Sequence, residues 1–197
     1  MVVKIAIIGN QILNSGPIPP GYTKWGFNRQ IKEADYWFDI HRKTCEHLTD
    51  KSDYGKFIKE KGNKAFLSFD NPNFPKAEHF PWEQLVYKHG ALFTNSVDWL
   101  MAYAITLKPK VILLYGITIH PEDNHAFCRP GNEYFIGFAR GQGIEVIIPS
   151  TSWLCRPEYI TPEYYIGLDH GRGIYVSEDA LEQTVLFKNK QLYGIEN

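Results

Sequence analysis

Along the chain, apolar residues gather into short β-branched runs, separated by stretches in which they recur at helical spacing. Val2–Ile8, Ala65–Phe69, Val111–Tyr115 and Ile144–Ile148 are almost continuously apolar, the pattern of strands covered on both faces in a parallel sheet. Trp37–Ile40 and Ala91–Phe93 are shorter candidates of the same kind. Ser96–Thr106 puts Val97, Leu100, Met101, Ala104 and Ile105 on one face, with Asn95 or Ser96 placed to cap the first turn, and predicts a helix. Asn132–Gly141 carries Tyr134, Phe135, Phe138 and Ala139 at the same spacing. It opens after Pro130-Gly131, stops at Gly141-Gln142-Gly143 and feeds the Ile144–Ile148 strand. Strands alternating with helices in this way predict an α/β fold with a mainly parallel sheet flanked by helices. From about Arg156 the chain is looser and rich in Tyr, Pro and Gly, with a short helix expected at Glu178–Thr184 and a strand at Val185–Phe187.

Composition narrows the options. A chain of 197 residues, 44% hydrophobic, fits one domain with a sizeable core, and two full domains would be cramped. Twenty-one Lys and Arg against 22 Asp and Glu leave a net charge of −1, without the basic excess that phosphate-backbone binding demands, so nucleic acid is a weak candidate partner. The amino-terminal apolar run ends at Gly9, too short for a signal peptide or a membrane span, and a soluble, cytoplasmic protein is expected. Cys45, Cys128 and Cys155 are odd in number and form no CxxC pair, which argues against a disulfide framework and a zinc ribbon and for free thiols. An aromatic share of 15% suits stacking pockets as well as ordinary core packing.

Four segments carry candidate chemistry. The first strand runs into Gly9-Asn10, then Ser15-Gly16 and Pro17-Ile18-Pro19-Pro20. Loops at the carboxyl ends of parallel strands bind ligands, and exposed amides there can hold a phosphate. The segment matches neither GxGxxG nor GxxxxGK[ST], and a plain connecting loop explains it equally well. In the second, Trp25-Gly26-Phe27-Asn28 and Asp35-Tyr36-Trp37-Phe38-Asp39-Ile40-His41 bring Asn28, Asp39 and His41 near a strand end. A histidine beside a carboxylate can act as acid, base or phosphate donor, or simply hydrogen-bond a loop. In the third, Thr94-Asn95-Ser96 offers hydroxyls and free helix amides to an anion, where capping alone accounts for one of the three. In the fourth, His120, Glu122, Asp123 and His125 lie within six residues but lack the spacing of a zinc enzyme, so a polar loop over a site is expected and no metal site is assigned. Arg129 and Glu133 follow at the start of a helix, an anion-binding arginine beside a carboxylate that can face a ligand; complementing the helix dipole would also explain Glu133.

Taken in order, Gly9 with its Ser-containing loop, Trp25-Gly26-Phe27-Asn28, Trp37-Phe38-Asp39-Ile40-His41, Thr94-Asn95-Ser96-Val97, Tyr115-Gly116-Ile117, Arg129-Pro130 with Glu133-Tyr134-Phe135-Ile136-Gly137, Gly143-Ile144-Glu145-Val146 and Leu192-Tyr193-Gly194-Ile195-Glu196 resemble a group of small, mostly uncharacterised bacteriophage proteins. More faintly, the order is similar to the Rossmann-like core of MptE-like pterin pyrophosphokinases and bacterial sialyltransferases. In those families a Gly-Ser loop, a Ser-headed helix, a strand ending in Gly-x-Asp and a late strand followed by Ser correspond to Gly9, Ser96, Gly116 and Ser150 or Ser152. Thr118 stands where they carry the acid. Glu133-Tyr134-Phe135-Ile136-Gly137-Phe138-Ala139 resembles the segment of nucleoside 2-deoxyribosyltransferases whose helix-borne Glu is the nucleophile.

These resemblances imply a Rossmann-like nucleotide-binding core over residues 1–155, with an extension, 156–197, packed on it, in the host cytoplasm if phage-encoded. The function they imply is binding of a nucleotide or nucleotide-sugar and glycosyl or phosphoryl transfer or hydrolysis on it. Glu133 and His41 are the expected catalytic pair. Gly9, Asn10, Ser15, Asn28, Asp39, Thr94, Asn95, Ser96, Gly116 and Arg129 are expected around the ligand in one pocket. The cofactor stays open, Mg²⁺ with a nucleotide being the one considered, as does a homo-oligomer. A non-catalytic protein that sequesters a host nucleotide signal or binds a host protein is the rival reading. A transferase acting on DNA ranks last, for want of a basic groove.

Overall fold

The computed structural model describes residues 3–9, 17–27, 34–42, 48–90, 92–120, 125–149, 151–155, 163–166 and 174–177. The chain falls into two compact units, Met1–Cys155 and Arg156–Asn197. In the second, β8 (Glu163–Ile166) and β9 (Ile174–Ser177) pair antiparallel, Glu163 opposite Ser177. The helix and strand expected at 178–184 and 185–187 lie outside the described residues.

The first unit is an α/β domain built on one parallel sheet. Its strands are β1 (Lys4–Ile8), β2 (Thr23–Phe27), β3 (Tyr36–Asp39), β4 (Ala65–Leu67), β5 (Glu78–His79), β6 (Val111–Tyr115) and β7 (Glu145–Ile147), ordered β5-β4-β3-β2-β1-β6-β7. Among the described residues four α-helices flank it: α1 (Asp53–Lys61), α2 (Trp82–His89), α3 (Ser96–Thr106) and α4 (Arg129–Gly141). The order reverses direction at β1, so the switch point of this Rossmann-like sheet lies between β1 and β6.

Side chains alternate across the sheet and so build two cores. On one face Ile5, Ile7, Trp25, Phe27, Phe38, Ile112 and Leu114 pack with Leu85 of α2, Leu100 of α3 and Phe135 of α4. On the other Ala6, Ile8, Trp37, Ala65, Leu67, Leu113 and Tyr115 pack with Ile58 of α1. Leu100, Met101 and Ile105 of α3 are at most 1% exposed. Each such burial contributes about 1.5–3 kcal/mol, enough to fix the helix on its sheet. Ser52 caps α1 by accepting from the Gly55 amide (3.0 Å), with Asp53 in the first turn and Lys59 and Lys61 in the last to complement the dipole.

Of the strands expected in this unit, Val111–Tyr115 is present with those ends and the others with ends one or two residues shorter or shifted, except at Ala91–Phe93. Leu92 and Phe93 form no strand. Phe93 is apolar for another reason: its ring stacks on Trp99 (3.7 Å between centroids, 6° between planes) and on Phe135, tying the entry of α3 to α4.

Candidate functional site

Helices that follow parallel strands return antiparallel to them, so the strand exits and the starts of α1, α3 and α4 share the carboxyl edge of the sheet. At the switch point the exits of β1 and β6 touch. The Gly9 amide donates to the Tyr115 carbonyl at 2.7 Å. A Cβ on Gly9 would fall on the Gly116 carbonyl oxygen and lie 2.7 Å from Ile117 Cγ1, so only glycine fits. Gly116 itself turns the chain out of β6 with φ +66°, a conformation that glycine adopts without strain. The two glycines are required by this close passage, whatever binds beside it.

Beyond it, β3 ends in a polar network. Trp37 and Asp39, two residues apart, project to the α1 side. Trp37 Nε1 donates to the Tyr54 hydroxyl (2.9 Å), and that hydroxyl donates to Asp39 Oδ2 (2.8 Å). Asp39 Oδ1 accepts from the His41 amide (3.0 Å) and lies 3.0 Å from His41 Nδ1. The Asp39 side chain is 5% exposed and that of His41 59% exposed, so a buried carboxylate orients an imidazole that reaches solvent. The next residue, Arg42, sets its guanidinium over the Phe69 ring (5.3 Å). Phe69, with Asp70, Asn71 and Phe74, lines a cleft of about 360 Å³ beyond β4. Asn71 is held there by donating Nδ2–H to the Leu48 carbonyl (2.9 Å). Asp70 also contacts His79 Nδ1 (3.1 Å), whose Nε2 meets Glu83 (3.2 Å). Burial works against charge on His79, but hydrogen bonds from the ring to Glu83 and Asp70 outweigh it and raise its pKa above 6.5.

The starts of α3 and α4 are differently occupied. Asn95 Oδ1 accepts from the Asp98 amide (3.0 Å), and Asp98 Oδ2 accepts from the Thr94 amide (2.8 Å) and hydroxyl (2.7 Å), a reciprocal cap. Capping thus uses Thr94 and Asn95 both, where the sequence pattern suggested it would use one; Ser96 begins the helix proper. Asp98 is fully buried, and that burial pushes its carboxyl above the ordinary 3.8 although the Thr94 bonds pull the other way. In α4, Arg129 Nε donates to Glu133 Oε1 (2.7 Å), and the same oxygen accepts the Cys155 amide (2.7 Å). Glu133 thereby links α4 to the segment after β7.

The expected single pocket around His41 and Glu133 does not form. Asp39 and His41 lie on the α1 face of the sheet, Glu133 on the helix that covers the opposite face, and β3 and β6 are three strand spacings apart, roughly 14 Å. Gly9 and Gly116 follow β1 and β6, and Thr94, Asn95, Ser96 and Arg129 stand at the starts of α3 and α4. Asn10, Ser15 and Asn28 lie outside the described residues, as do Glu122, Asp123, Ser150 and Cys45. Ser152 closes a turn, donating to the Thr118 carbonyl (3.4 Å) and accepting the Leu154 amide (3.2 Å). His120 packs edge-on to Trp153 (4.6 Å). Among the described residues no three His, Cys, Asp or Glu side chains converge as a metal site would require, and Cys128 and Cys155 are free. Sequence reasoning missed Tyr54, Arg42, Asp70, Asn71 and His79. The one local signal was the Asp39-x-His41 spacing, which brings the two side chains together at the exit of β3.

Among the described residues no helix is long and apolar enough to cross a membrane. No family model, curated protein or solved structure matches the chain.

Proposed function

We propose that the protein binds a nucleotide or nucleotide-sugar along the carboxyl edge of its sheet and makes or breaks a glycosyl or phosphoryl bond on it, with Asp39–His41 as the acid–base pair. The observation that carries this reading is the buried Asp39 carboxylate, fixed by Tyr54, holding a solvent-facing imidazole at a strand exit. With Nδ1–H given to Asp39, the lone pair sits on Nε2. In the proposed step Nε2 takes the proton of the attacking hydroxyl, Asp39 stabilises the imidazolium, and the proton passes to the leaving group.

Phosphate fits the starts of α3 and α4 with Arg129, where helix amides and a guanidinium favour an anion. A sugar fits the cleft beyond β4, where Asp70 and Asn71 can accept and donate to hydroxyls and Phe69 offers a ring face. From β6, whose exit leads into α4, to β4 is four strand spacings, roughly 19 Å, so the ligand this reading requires is an extended one such as a nucleotide-sugar. Glu133, committed through Oε1 to Arg129 and Cys155, serves here as a positioning residue for Arg129.

The test is a thermal-shift screen of the full chain against nucleotides and nucleotide-sugars, with and without Mg²⁺, followed by turnover of each binder. The expected result is a binder whose conversion is abolished in His41→Gln while its thermal shift persists. Binding without turnover in the wild type makes the protein a sequestering binder, and no shift from any member refutes the reading.

A further inference from the structure

Away from the carboxyl edge, toward the amino ends of the strands, the sheet face covered by α3 holds a second cleft, of about 300 Å³. Its lining is part aromatic and part aliphatic: Trp25 and Phe38 form a floor at 4% and 1% exposure, Tyr36, Phe66 and Tyr103 are half-buried around it, and Val3, Ile5, Thr23 and Leu107 complete it. Trp25 and Tyr103 are stacked (5.4 Å, 26°), as are Phe38 and Phe66 (4.9 Å, 17°), so the walls are braced against one another.

Next to the cleft, the strand row that carries its floor ends on an acid. Residues in register across parallel strands share a face, and the pairs Phe38 with Phe66 and Phe66 with Glu78 put the exposed Glu78 side chain on the same face and row as the aromatic floor. Burial first, then the neighbouring Glu78 and Tyr36, raise the Tyr103 phenol above 10.0, which keeps it neutral. Aromatic faces present negative quadrupole, and beside a carboxylate they attract a cation that is itself poorly hydrated.

We propose that this cleft is a binding site for an organic cation with an apolar body, of the quaternary-ammonium class, held by the aromatic walls and paired with Glu78. Its volume, at the lower end of the range of small-molecule pockets, limits the ligand to a small one. Nothing in this assignment depends on the chemistry of the carboxyl edge.

The probe is benzyltrimethylammonium, titrated against the full chain by tryptophan fluorescence, with its neutral carbon isostere, neopentylbenzene, as the control. The expected result is saturable quenching with the cation binding at least tenfold more tightly than the isostere. Glu78→Gln should weaken the cation severalfold and leave the isostere unchanged, with an unaltered melting temperature showing that the fold is intact. Tyr103→Leu, checked by circular dichroism, should weaken both. Equal affinities for cation and isostere, or a Glu78→Gln protein that binds the cation as well as the wild type does, overturn the assignment, as does the absence of saturable binding.

Discussion

Gly9→Ala and Gly137→Ala are the same chemical change with opposite expected signs. At Gly9 the added methyl falls on the Gly116 carbonyl and within 2.7 Å of Ile117 Cγ1, and the backbone cannot move away without loosening the 2.7 Å bond from the Gly9 amide to the Tyr115 carbonyl. Overpacking of this kind costs about 1–3 kcal/mol and a weakened backbone bond about 0.5–1.5 kcal/mol, so Gly9→Ala should lose about 2–4 kcal/mol. Gly137 lies inside α4 with nothing within 4 Å of its added Cβ. There alanine lowers the entropy of the unfolded chain and raises helix propensity, for a gain of about 0.5–1 kcal/mol. Urea unfolding followed by tryptophan fluorescence reads both changes. With a slope of about 2 kcal/mol per molar, the Gly9→Ala midpoint should fall by about 1 M or more and the Gly137→Ala midpoint should rise slightly. Equal midpoints for the two variants would refute the close passage of β1 and β6, and with it the account of why these exits carry glycine.

Tyr54→Phe removes the hydroxyl that joins Trp37 Nε1 to Asp39 Oδ2, and should cost about 1–3 kcal/mol in urea unfolding as well as most of the turnover attributed to His41; a variant as stable as the wild type would show the network to be slack. Asp98, with its folded pKa raised by burial, favours the fold below 3.8 and loses that contribution as pH rises through the raised value, so the wild type should lose stability relative to Asp98→Asn across that window. Urea unfolding of both proteins over a pH series checks this, and a pH-independent difference contradicts it. His79, raised by its bonds to Glu83 and Asp70, should show an NMR titration midpoint above 6.5 that falls in Asp70→Asn and in Glu83→Gln, its stabilising effect being present below 6.5 and lost as pH rises through the folded value. An unmoved midpoint removes the pairing.

Where burial is complete on both faces, the fold was legible. Every residue of β6 is buried, and its run Val-Ile-Leu-Leu-Tyr cannot be anything but a central strand of this length. α3 was legible for the same reason, its apolar stripe and Asn95 cap both being local. Elements with thin apolar faces escaped. α1 buries only Gly55 and Ile58 in nine residues, α2 only Leu85 and His89 in eight, and β2 carries a glycine among its five. Edge strand β5 is two exposed residues, Glu78 and His79, recognisable only by their pairing to β4. Phe93 misled for the converse reason, being apolar to stack on Trp99 rather than to enter the sheet.

The misplacement of Glu133 beside His41 has a topological cause. Parallel crossovers are almost always right-handed, so the face on which a helix lands depends on whether the chain is moving toward one edge of the sheet or the other. From β3 to β4 through α1 the chain steps away from β1 toward β5, and from β6 to β7 through α4 it steps the opposite way. Right-handed connections in opposite directions put α1 and α4 on opposite faces, and the two cores confirm it. His41 goes with the first, through Asp39 and Tyr54, and Glu133 with the second. Both residues follow the exit of a parallel strand, a placement that chain direction alone dictates. Their side of the sheet follows from strand order, a property of long-range pairing such as Ile5 with Ile112 that no local pattern of residues encodes.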